Sequence, residues 1–158
     1  ELSADPSRVK PGTDVSCVNA VDDPQPWENT GHASWTVTEG PTALKHDGWY
    51  YLFYSANGVK SPDYAVGYAV SRSPAGPWKK YGGNPVLDRH LVGVPGTGHG
   101  DFFRDHDDSM CYVFHTHYSA EAIGPRKTAL IKGVFVKDKG PDRLVFNPAS
   151  FRYLRPAP

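Results

Sequence analysis

The sequence predicts an all-β fold in a chain whose length suits one domain. Of its 158 residues, 16 are glycine, 15 are proline and 13% are aromatic, while only one is methionine. This composition is typical of short strands joined by many turns. Almost no helical periodicity accompanies it, and similar groups of strands recur about 60 residues apart. Together these observations favour a repetitive β architecture.

Charge and hydropathy argue against two kinds of partner. The 17 basic and 17 acidic residues leave no net charge, so electrostatic capture of a nucleic acid is not indicated. The longest basic cluster is Lys79-Lys80, which we expect to lie in a solvated turn. No apolar run approaches the roughly 20 residues of a membrane-spanning helix, and no signal peptide is recognisable. We therefore expect neither a nucleic acid nor a membrane as partner.

The two cysteines do not have the spacing of metal ligands. Cys17 and Cys111 lie far apart in the sequence and allow at most one disulfide. Two buried free thiols are the favoured interpretation, and a single bridge is the alternative.

Residues 1–34 are predicted to form an irregular lead-in. Proline and charged residues dominate the first part, and two prolines restrict the loop at 22–28. One short strand is expected at 15–19. Because no complete hairpin opens the chain, we expect the lead-in to be the end of a unit that begins earlier.

The segment that follows contains the main candidate residue. A strand is predicted to end at Glu39, where Gly40-Pro41 breaks it, and a second strand then covers 42–46. The Asp47-Gly48 turn leads into a strand at 49–55. Glu39 therefore lies at a strand end, beside a glycine that has no side chain to block a ligand.

Two four-stranded units complete the predicted organisation. The first covers 39–81 and the second covers 99–147. The remaining strands are expected at 64–71, 77–81, about 100–104, 110–117, 128–136 and 143–147.

The two units match at an ungapped offset of 60 residues. This offset aligns Gly40 with Gly100, Asp47 with Asp107, and Glu39 with His99. Successive four-stranded units that begin in the same way are typical of β-propeller blades, whose innermost strands line one axis. We therefore expect Glu39 and His99 to point toward a common centre.

Two blades do not make a ring. Propellers usually have four or more blades, and two alone would expose long sheet edges. We therefore expect 1–158 to be a partial domain that is completed by missing N-terminal blades or by another copy of the chain.

A set of motifs in this order resembles one enzyme family. The motifs are Trp27-Glu28, 37–41 with Glu39-Gly40-Pro41, 50–55, 64–68, 74–78 and 96–100. Over roughly residues 20–147 they resemble the C-terminal part of glycoside hydrolase family 43, the five-bladed propeller arabinofuranosidases, xylosidases and arabinanases. The resemblance implies that the chain holds about the last three blades of such a ring, and an extracellular or periplasmic location.

The resemblance also implies roles for three residues. Glu39 matches the general acid of the Glu-Gly-Pro motif. His99 matches a histidine near the propeller axis that is associated, through water, with calcium or another ion. Arg126 is a looser match to an arginine that lines the pocket. Trp35, four residues before Glu39, is a candidate for stacking on a sugar ring.

The catalytic base is not expected within this chain. Family 43 enzymes invert, with an acid that protonates the leaving oxygen and a base that activates water. The base and the carboxylate that tunes the acid lie on the first two blades of the family. Asp5 and Asp14 lack the matching flanking strand, so neither role is transferred to them.

Other residues have two interpretations each. Trp35 and Trp49 could stack on a sugar or pack in a blade core. His115 and His117 share one strand face, and a hydrogen-bonded pair is favoured over a metal site. The stretch Asp105–Asp108 is expected to be a turn rather than a calcium site.

Three functions of different classes follow. The first is an inverting glycosidase that acts on arabinose- or xylose-containing plant polysaccharides or oligosaccharides. The alternative is a noncatalytic carbohydrate-binding or scaffold fragment that keeps the fold without a base. A protein-interaction module is the third, since propellers also serve as binding platforms.

Overall fold

The computed structural model describes residues 1–155. Within these residues, eight strands form two four-stranded antiparallel sheets, which confirms the all-β prediction. Helical structure in the described part of the chain is limited to a 3-10 turn at Pro26–Asn29 and a short helix α1 at Arg89–Val92. Neither of these described helices is long and apolar enough to cross a membrane.

Each sheet is a simple meander in which consecutive strands are neighbours. The first sheet contains β1 (Thr38–His46), β2 (Trp49–Ala56), β3 (Ala65–Ser71) and β4 (Lys79–Lys80). The second sheet contains β5 (Gly98–Arg104), β6 (Met110–Thr116), β7 (Lys127–Val136) and β8 (Arg143–Tyr153). The two first strands, β1 and β5, lie against each other, and the Thr42 hydroxyl donates to the Asp101 carboxylate. This arrangement is that of neighbouring blades with adjacent inner strands.

Aromatic side chains fill the space between the two sheets. Phe102 of β5 lies 4.7 Å, between ring centroids, from Phe53 of one sheet and from Tyr112 of the other. The fully buried members of this core include Tyr51, Phe53, Tyr68, Tyr112 and Ile131. Rings of this size bury ~150–250 Å² each, which is why the aromatic-rich sequence can stabilise two sheets with few leucines.

Strand β3 is buried along its whole length, as its apolar sequence predicts. Val66 and Tyr68 face the core between the sheets. Ala65 faces the other side, where it packs with Trp27 and Tyr54 in a second cluster. The lead-in therefore covers the face of the first sheet that points away from the second.

The lead-in differs from the prediction in two respects. The short strand expected at 15–19 does not form. Lys80 does not lie in a solvated turn: its side chain is 6% exposed and its ammonium lies 2.8 Å from the fully buried Glu28 carboxylate. The prediction is therefore wrong for Lys80, whose partner is 52 residues away in the sequence, whereas Lys79 is exposed as expected.

Two strands have other lengths than predicted. β4 contains only two residues, whereas β8 continues to Tyr153, past Pro148. The pairing of β8 with β7 shifts in register between Leu130 and Lys132. At such a bulge no ladder hydrogen bond is needed from the extra residue, so β8 can continue through the proline, which has no N–H.

The two cysteines are both free. Cys111 is buried, as expected, whereas Cys17 is exposed because the lead-in around it does not pack as a strand. The expectation of two buried thiols is wrong for Cys17.

Candidate functional site

A β-bulge places Glu39 at the beginning of the inner strand of the first sheet. Strand β1 is continuous through Gly40-Pro41, and its register against β2 shifts between Glu39 and Thr42. The predicted break is therefore a bulge, in which Gly40 has a φ of +59° and the proline needs no ladder hydrogen bond. Bulges bend a strand and redirect its side chains, and here Glu39 is left half-buried opposite Ser55.

The second sheet repeats this bulge one residue earlier than the sequence alignment implies. In β5 the register shifts between Gly98 and Asp101, so that His99 occupies the position of Gly40. Both residues have positive φ, at +53° for His99 and +59° for Gly40. The offset of 60 residues is thus wrong by one residue here, and Glu39 corresponds to Gly98 rather than to His99.

Glu39 and His99 are nevertheless brought together. Gly40 leaves room for the imidazole: a Cβ added to it would lie 2.8 Å from Cγ of His99. The backbone N–H of His99 donates to Oγ of Ser55 at 2.8 Å. The positive φ of Gly40 and this close approach both require glycine, so the Glu-Gly-Pro motif has a local structural cause.

Tyr64 connects the two candidate residues. Its hydroxyl donates to Oε1 of Glu39 at 2.8 Å and lies 3.5 Å from Nδ1 of His99. The whole residue is buried, at 0% exposure. Burial, and then the hydrogen bond to Glu39, raise the pKa of Tyr64 well above its usual range. The hydroxyl therefore remains protonated and acts as a donor to the carboxylate.

His115 and Arg126 extend the site along the second sheet. The His115 ring stacks on Tyr64, with 5.5 Å between centroids and 8° between planes. A guanidinium is only a donor, so Arg126 donates to Nε2 of His115, over 3.0 Å. This contact requires a neutral imidazole with its proton on Nδ1. The predicted pocket arginine is thus held beside the Tyr64 cluster, with an exposed side chain.

The environment of His115 keeps its ring neutral. Burial is the main cause that lowers the pKa of His115 to about 4, and the Arg126 charge acts in the same direction. The Gly96 backbone acts in the opposite direction and has the smallest of these effects on the pKa.

This lowered pKa predicts a pH dependence of stability. The unfolded chain takes up a proton on His115 below about pH 6.5, the folded chain only below about pH 4. Stability from this group is therefore present above pH 6.5 and is lost as the pH falls toward 4. In urea unfolding at pH 7 and pH 5, His115→Gln should lose less stability between the two pH values than the wild type. His106→Gln, in the exposed β5–β6 turn, is the control, and an unchanged loss in His115→Gln would contradict the assignment.

His117 belongs to the core rather than to a histidine pair. Its Nε2 lies 2.8 Å from the Val59 carbonyl, and the residue is 4% exposed. Strand β6 ends at Thr116, so the alternation that would place His115 and His117 on one face does not continue. The predicted hydrogen-bonded pair is wrong.

The two tryptophan candidates lie in different environments. Trp35 is 84% exposed and precedes β1, so it does not pack in a blade core. Trp49 lies at the turn end of β2, about 20 Å along the strand from Ser55. The Arg72 guanidinium covers its ring at 3.8 Å. Trp49 therefore does not belong to the Glu39 site.

The described residues do not form a calcium site by themselves. Residues 1–155 contain no group of three His, Cys, Asp or Glu side chains that could hold a metal. His99 offers one nitrogen, whereas calcium takes six to eight oxygens. The carboxylates of the 105–108 turn pair with basic side chains, in Asp105–Arg152, Asp107–Lys132 and Asp108–Arg104. Residues 105–108 form a turn, as predicted.

Glu39 is accessible from a hollow on the face of the first sheet. This hollow has a volume of about 390 Å³ and is bounded by Val18, Pro41 and Leu52. A second hollow, of about 360 Å³, lies around His99, His115 and Thr128. A larger cavity of about 590 Å³ lies at the opposite end of the sheets, where Trp49 lines it and Glu39, His99 and Arg126 do not.

Sequence reasoning missed Tyr64 and Ser55. The sequence predicts only that both belong to ordinary strands. A signal was present, because antiparallel pairing of β2 with β3 places Ser55 opposite Val66, near Tyr64. Counting back from the turn between the strands would have located Tyr64 at the same end of the sheet as Glu39.

A comparison with known families agrees with the motifs. The sequence model of Glycosyl hydrolases family 43 matches residues 9–140. The matched part includes Glu39, His99 and Arg126.

Individual relatives have glycosidase names. The chain is 28% identical over 102 residues to a beta-D-galactofuranosidase of Aspergillus niger, covering 65% of this chain and 30% of that protein. It is 33% identical over 82 residues to a xylosidase/arabinosidase of Humicola insolens, covering 50% of this chain and 15% of that protein.

Solved structures show the same fold. An endo-1,4-beta-xylanase from Bacteroides thetaiotaomicron matches with a TM-score of 0.79 and 37% identity. The match covers 92% of this chain and 47% of the xylanase. The chain thus spans less than half the length of each of these three proteins.

Proposed function

The chain belongs to family 43 of the glycosyl hydrolases, and we propose that it supplies the acid half of an inverting glycosidase site. The substrates proposed are arabinose- or xylose-containing plant polysaccharides or oligosaccharides. The observation that carries the proposal is Glu39, half-buried on the β1 bulge, held by the Tyr64 hydroxyl and close to His99. The xylanase and xylosidase/arabinosidase names of the relatives support the substrate class.

In the proposed reaction Glu39 is the general acid. Its carboxyl proton passes to the glycosidic oxygen as the bond from that oxygen to the anomeric carbon breaks. A water on the opposite face of the sugar attacks the same carbon after losing its proton to a carboxylate base. The two carboxyl groups of an inverting enzyme lie ~6.5–9.5 Å apart, which leaves room for this water.

The base is proposed to come from the N-terminal blades of the ring. Asp101, the carboxylate on the neighbouring inner strand, accepts hydrogen bonds from the Thr42 hydroxyl and from the Phe102 N–H. These bonds give Asp101 a structural role in joining β5 to β1. Asp5 and Asp14 lie in the exposed lead-in and are not proposed for the role.

Three residues are proposed to bind the sugar. The Arg126 guanidinium is fixed by His115 and exposed, so it can donate to sugar hydroxyls. His99 is exposed next to Glu39. The exposed Trp35 indole can stack on the apolar face of a pyranose or furanose ring.

Calcium and location also belong to this proposal. In the complete ring, His99 would contact a calcium ion at the axis through water, with the oxygen ligands supplied from outside the described residues. No step of the reaction above depends on this ion. Because the proposed substrates are plant polysaccharides, an extracellular or periplasmic location is proposed.

The partner is proposed to be the set of N-terminal blades that completes the ring, or another copy of the chain. The outer face of the second sheet presents Val134 and Val145, which pair in register and are 60% and 40% exposed. Phe103, 40% exposed, belongs to the same face, which points away from the first sheet. An apolar sheet face of this kind is what a neighbouring blade covers.

Activity measured with and without the completing blades tests the function. The purified 158-residue chain should associate, bind oligosaccharide and hydrolyse aryl arabinosides or xylosides poorly, because two copies would supply two acids and no base. Adding the N-terminal blades should restore normal enzymatic rates. Val134→Lys should weaken association in sedimentation velocity, with Val21→Lys in the exposed lead-in as control.

Two outcomes would contradict the proposal. A monomeric chain that hydrolyses these glycosides at normal rates would show that no partner is needed. A completed ring that binds sugar but hydrolyses none would favour the noncatalytic carbohydrate-binding alternative.

A further inference from the structure

We propose that Tyr64 is a positioning residue for the general acid, since it holds Oε1 of Glu39 and leaves Oε2 to carry the transferred proton. The inference rests on the proposed role of Glu39. Tyr64 does not touch the sugar, because it is fully buried. Its effect is therefore exerted through Glu39.

The geometry distinguishes the two carboxyl oxygens. The Tyr64 hydroxyl donates to Oε1 of Glu39 at 2.8 Å, and no hydrogen bond to Oε2 is formed within residues 1–155. A carboxyl group that is held at one oxygen has a restricted rotation about its last torsion. The free oxygen is then directed toward the accessible side of the site, where a glycosidic oxygen can receive the proton.

The Tyr64 ring itself is fixed from several directions. The His115 ring stacks on it, and Gly98 packs against its edge, where an added Cβ would lie 2.3 Å from the ring. Its backbone carbonyl accepts from the Thr97 hydroxyl at 3.3 Å. A rigid donor loses little entropy when it orients the acid, which is the condition for effective positioning.

The same contact assists the proton transfer. When Glu39 gives its proton to the leaving oxygen, a negative charge develops on the carboxylate. The Tyr64 hydroxyl keeps its own proton and donates to that charge, and hydrogen bonds to a charged group are stronger than those to a neutral one. The contact therefore strengthens as the reaction proceeds, which is the requirement for a lower barrier.

His99 offers the hydroxyl a second acceptor. Nδ1 of His99 lies 3.5 Å from the Tyr64 oxygen, against 2.8 Å for Oε1 of Glu39. The hydroxyl donates to the nearer acceptor, Glu39. When Oε2 carries the proton, Oε1 is a carbonyl oxygen that can still accept this hydrogen bond, so Tyr64 holds the carboxyl group before and after the proton is transferred.

Tyr64→Phe tests the inference, because it removes the hydroxyl and keeps the ring. In the protein with a completed ring, kcat for glycosides with poor leaving groups should fall about tenfold to a hundredfold with KM little changed. Aryl glycosides with good leaving groups should be affected less. Tyr68→Phe removes another buried tyrosine hydroxyl, in β3, that does not donate to Glu39, and should preserve activity.

A second measurement does not depend on activity. In the 158-residue chain at pH 7, Tyr64→Phe should shift the ¹³Cδ signal of Glu39, because the carboxyl group loses its hydrogen bond at Oε1. Tyr68→Phe should leave this signal unchanged. A loss of kcat that is equal for good and poor leaving groups, or an unchanged Glu39 signal, would overturn the inference.

The two proposals fail in different ways. If the wild-type ring hydrolyses no glycoside, the glycosidase function is refuted, and the ¹³Cδ signal of Glu39 still reports whether Tyr64 holds that carboxyl. If the ring is active and Tyr64→Phe matches Tyr68→Phe in both measurements, the function stands and the role of Tyr64 is refuted.

Discussion

Replacing Glu39 by glutamine is expected to lower glycosidase activity by about 10²–10⁴-fold, because the amide has no acidic proton to give to the leaving oxygen. Glutamine has nearly the same shape and can still accept a hydrogen bond from Tyr64. The substitution therefore removes the proton that would be transferred and preserves the geometry of the site. It should be measured in the protein with a completed ring, with kcat and KM determined separately.

The leaving group provides an internal control for this prediction. Aryl glycosides with acidic phenols need little protonation, so Glu39→Gln should reduce their hydrolysis far less than that of natural oligosaccharides. Glu1→Gln makes the same change at an exposed position of the lead-in and should have no effect. Equal losses for both kinds of substrate would show that Glu39 is not the acid.

Much of the fold follows from local sequence. The Asp47-Gly48 turn fixes the register of β1 and β2, and alternating apolar residues fix which side of each strand is buried. The continuous apolar stretch of β3 correctly predicts burial on both faces. These features depend on neighbouring residues, which is why strands and turns can be predicted from the sequence.

The site could be predicted only in part. Motif similarity singles out Glu39 and His99 as candidates, and the structure brings them close together, but the ungapped alignment does not show that bulges shift their equivalence by one residue. A bulge is a property of the pairing between strands, and its position is not visible in one strand alone. Tyr64 was missed for the same reason, since its contact with Glu39 spans 25 residues of sequence.

The shared bulge has a consequence for how the site is built. Gly40 and His99 occupy equivalent positions with positive φ on adjacent inner strands. In one blade the position is glycine, which makes room, and in the other it is a histidine, which fills that room. The same backbone conformation thus leaves space in one blade and, in the other, positions the imidazole that occupies this space. Glu39 lies beside this contact.

Lys80 illustrates the opposite case, in which a surface-like sequence hides a buried ion pair. Its ammonium lies 2.8 Å from the Glu28 carboxylate and also donates to the carbonyls of Asn19 and Asp23. Glu28 further accepts from the Tyr54 hydroxyl at 2.8 Å and from the Gln25 N–H at 2.6 Å. These contacts join the lead-in to the end of the first sheet and satisfy both charges.

Removing one partner of this pair should therefore be strongly destabilising. Lys80→Met is expected to lower the free energy of unfolding by ~3–5 kcal/mol, because it leaves the Glu28 charge buried without its cation. Urea unfolding measures this as a lower midpoint at an unchanged slope. Lys10→Met removes an ion pair whose side chains are 51% and 72% exposed, and it should cost less than ~1 kcal/mol.

A double variant separates the buried charge from the lost packing. Glu28→Gln together with Lys80→Met removes both charges and keeps an oxygen that can accept from Tyr54. It should be more stable than Lys80→Met alone, because an uncompensated buried charge costs more than a missing ion pair. If the double variant is less stable than the single one, or if Lys80→Met costs no more than Lys10→Met, then the pair does not hold the lead-in to the first sheet.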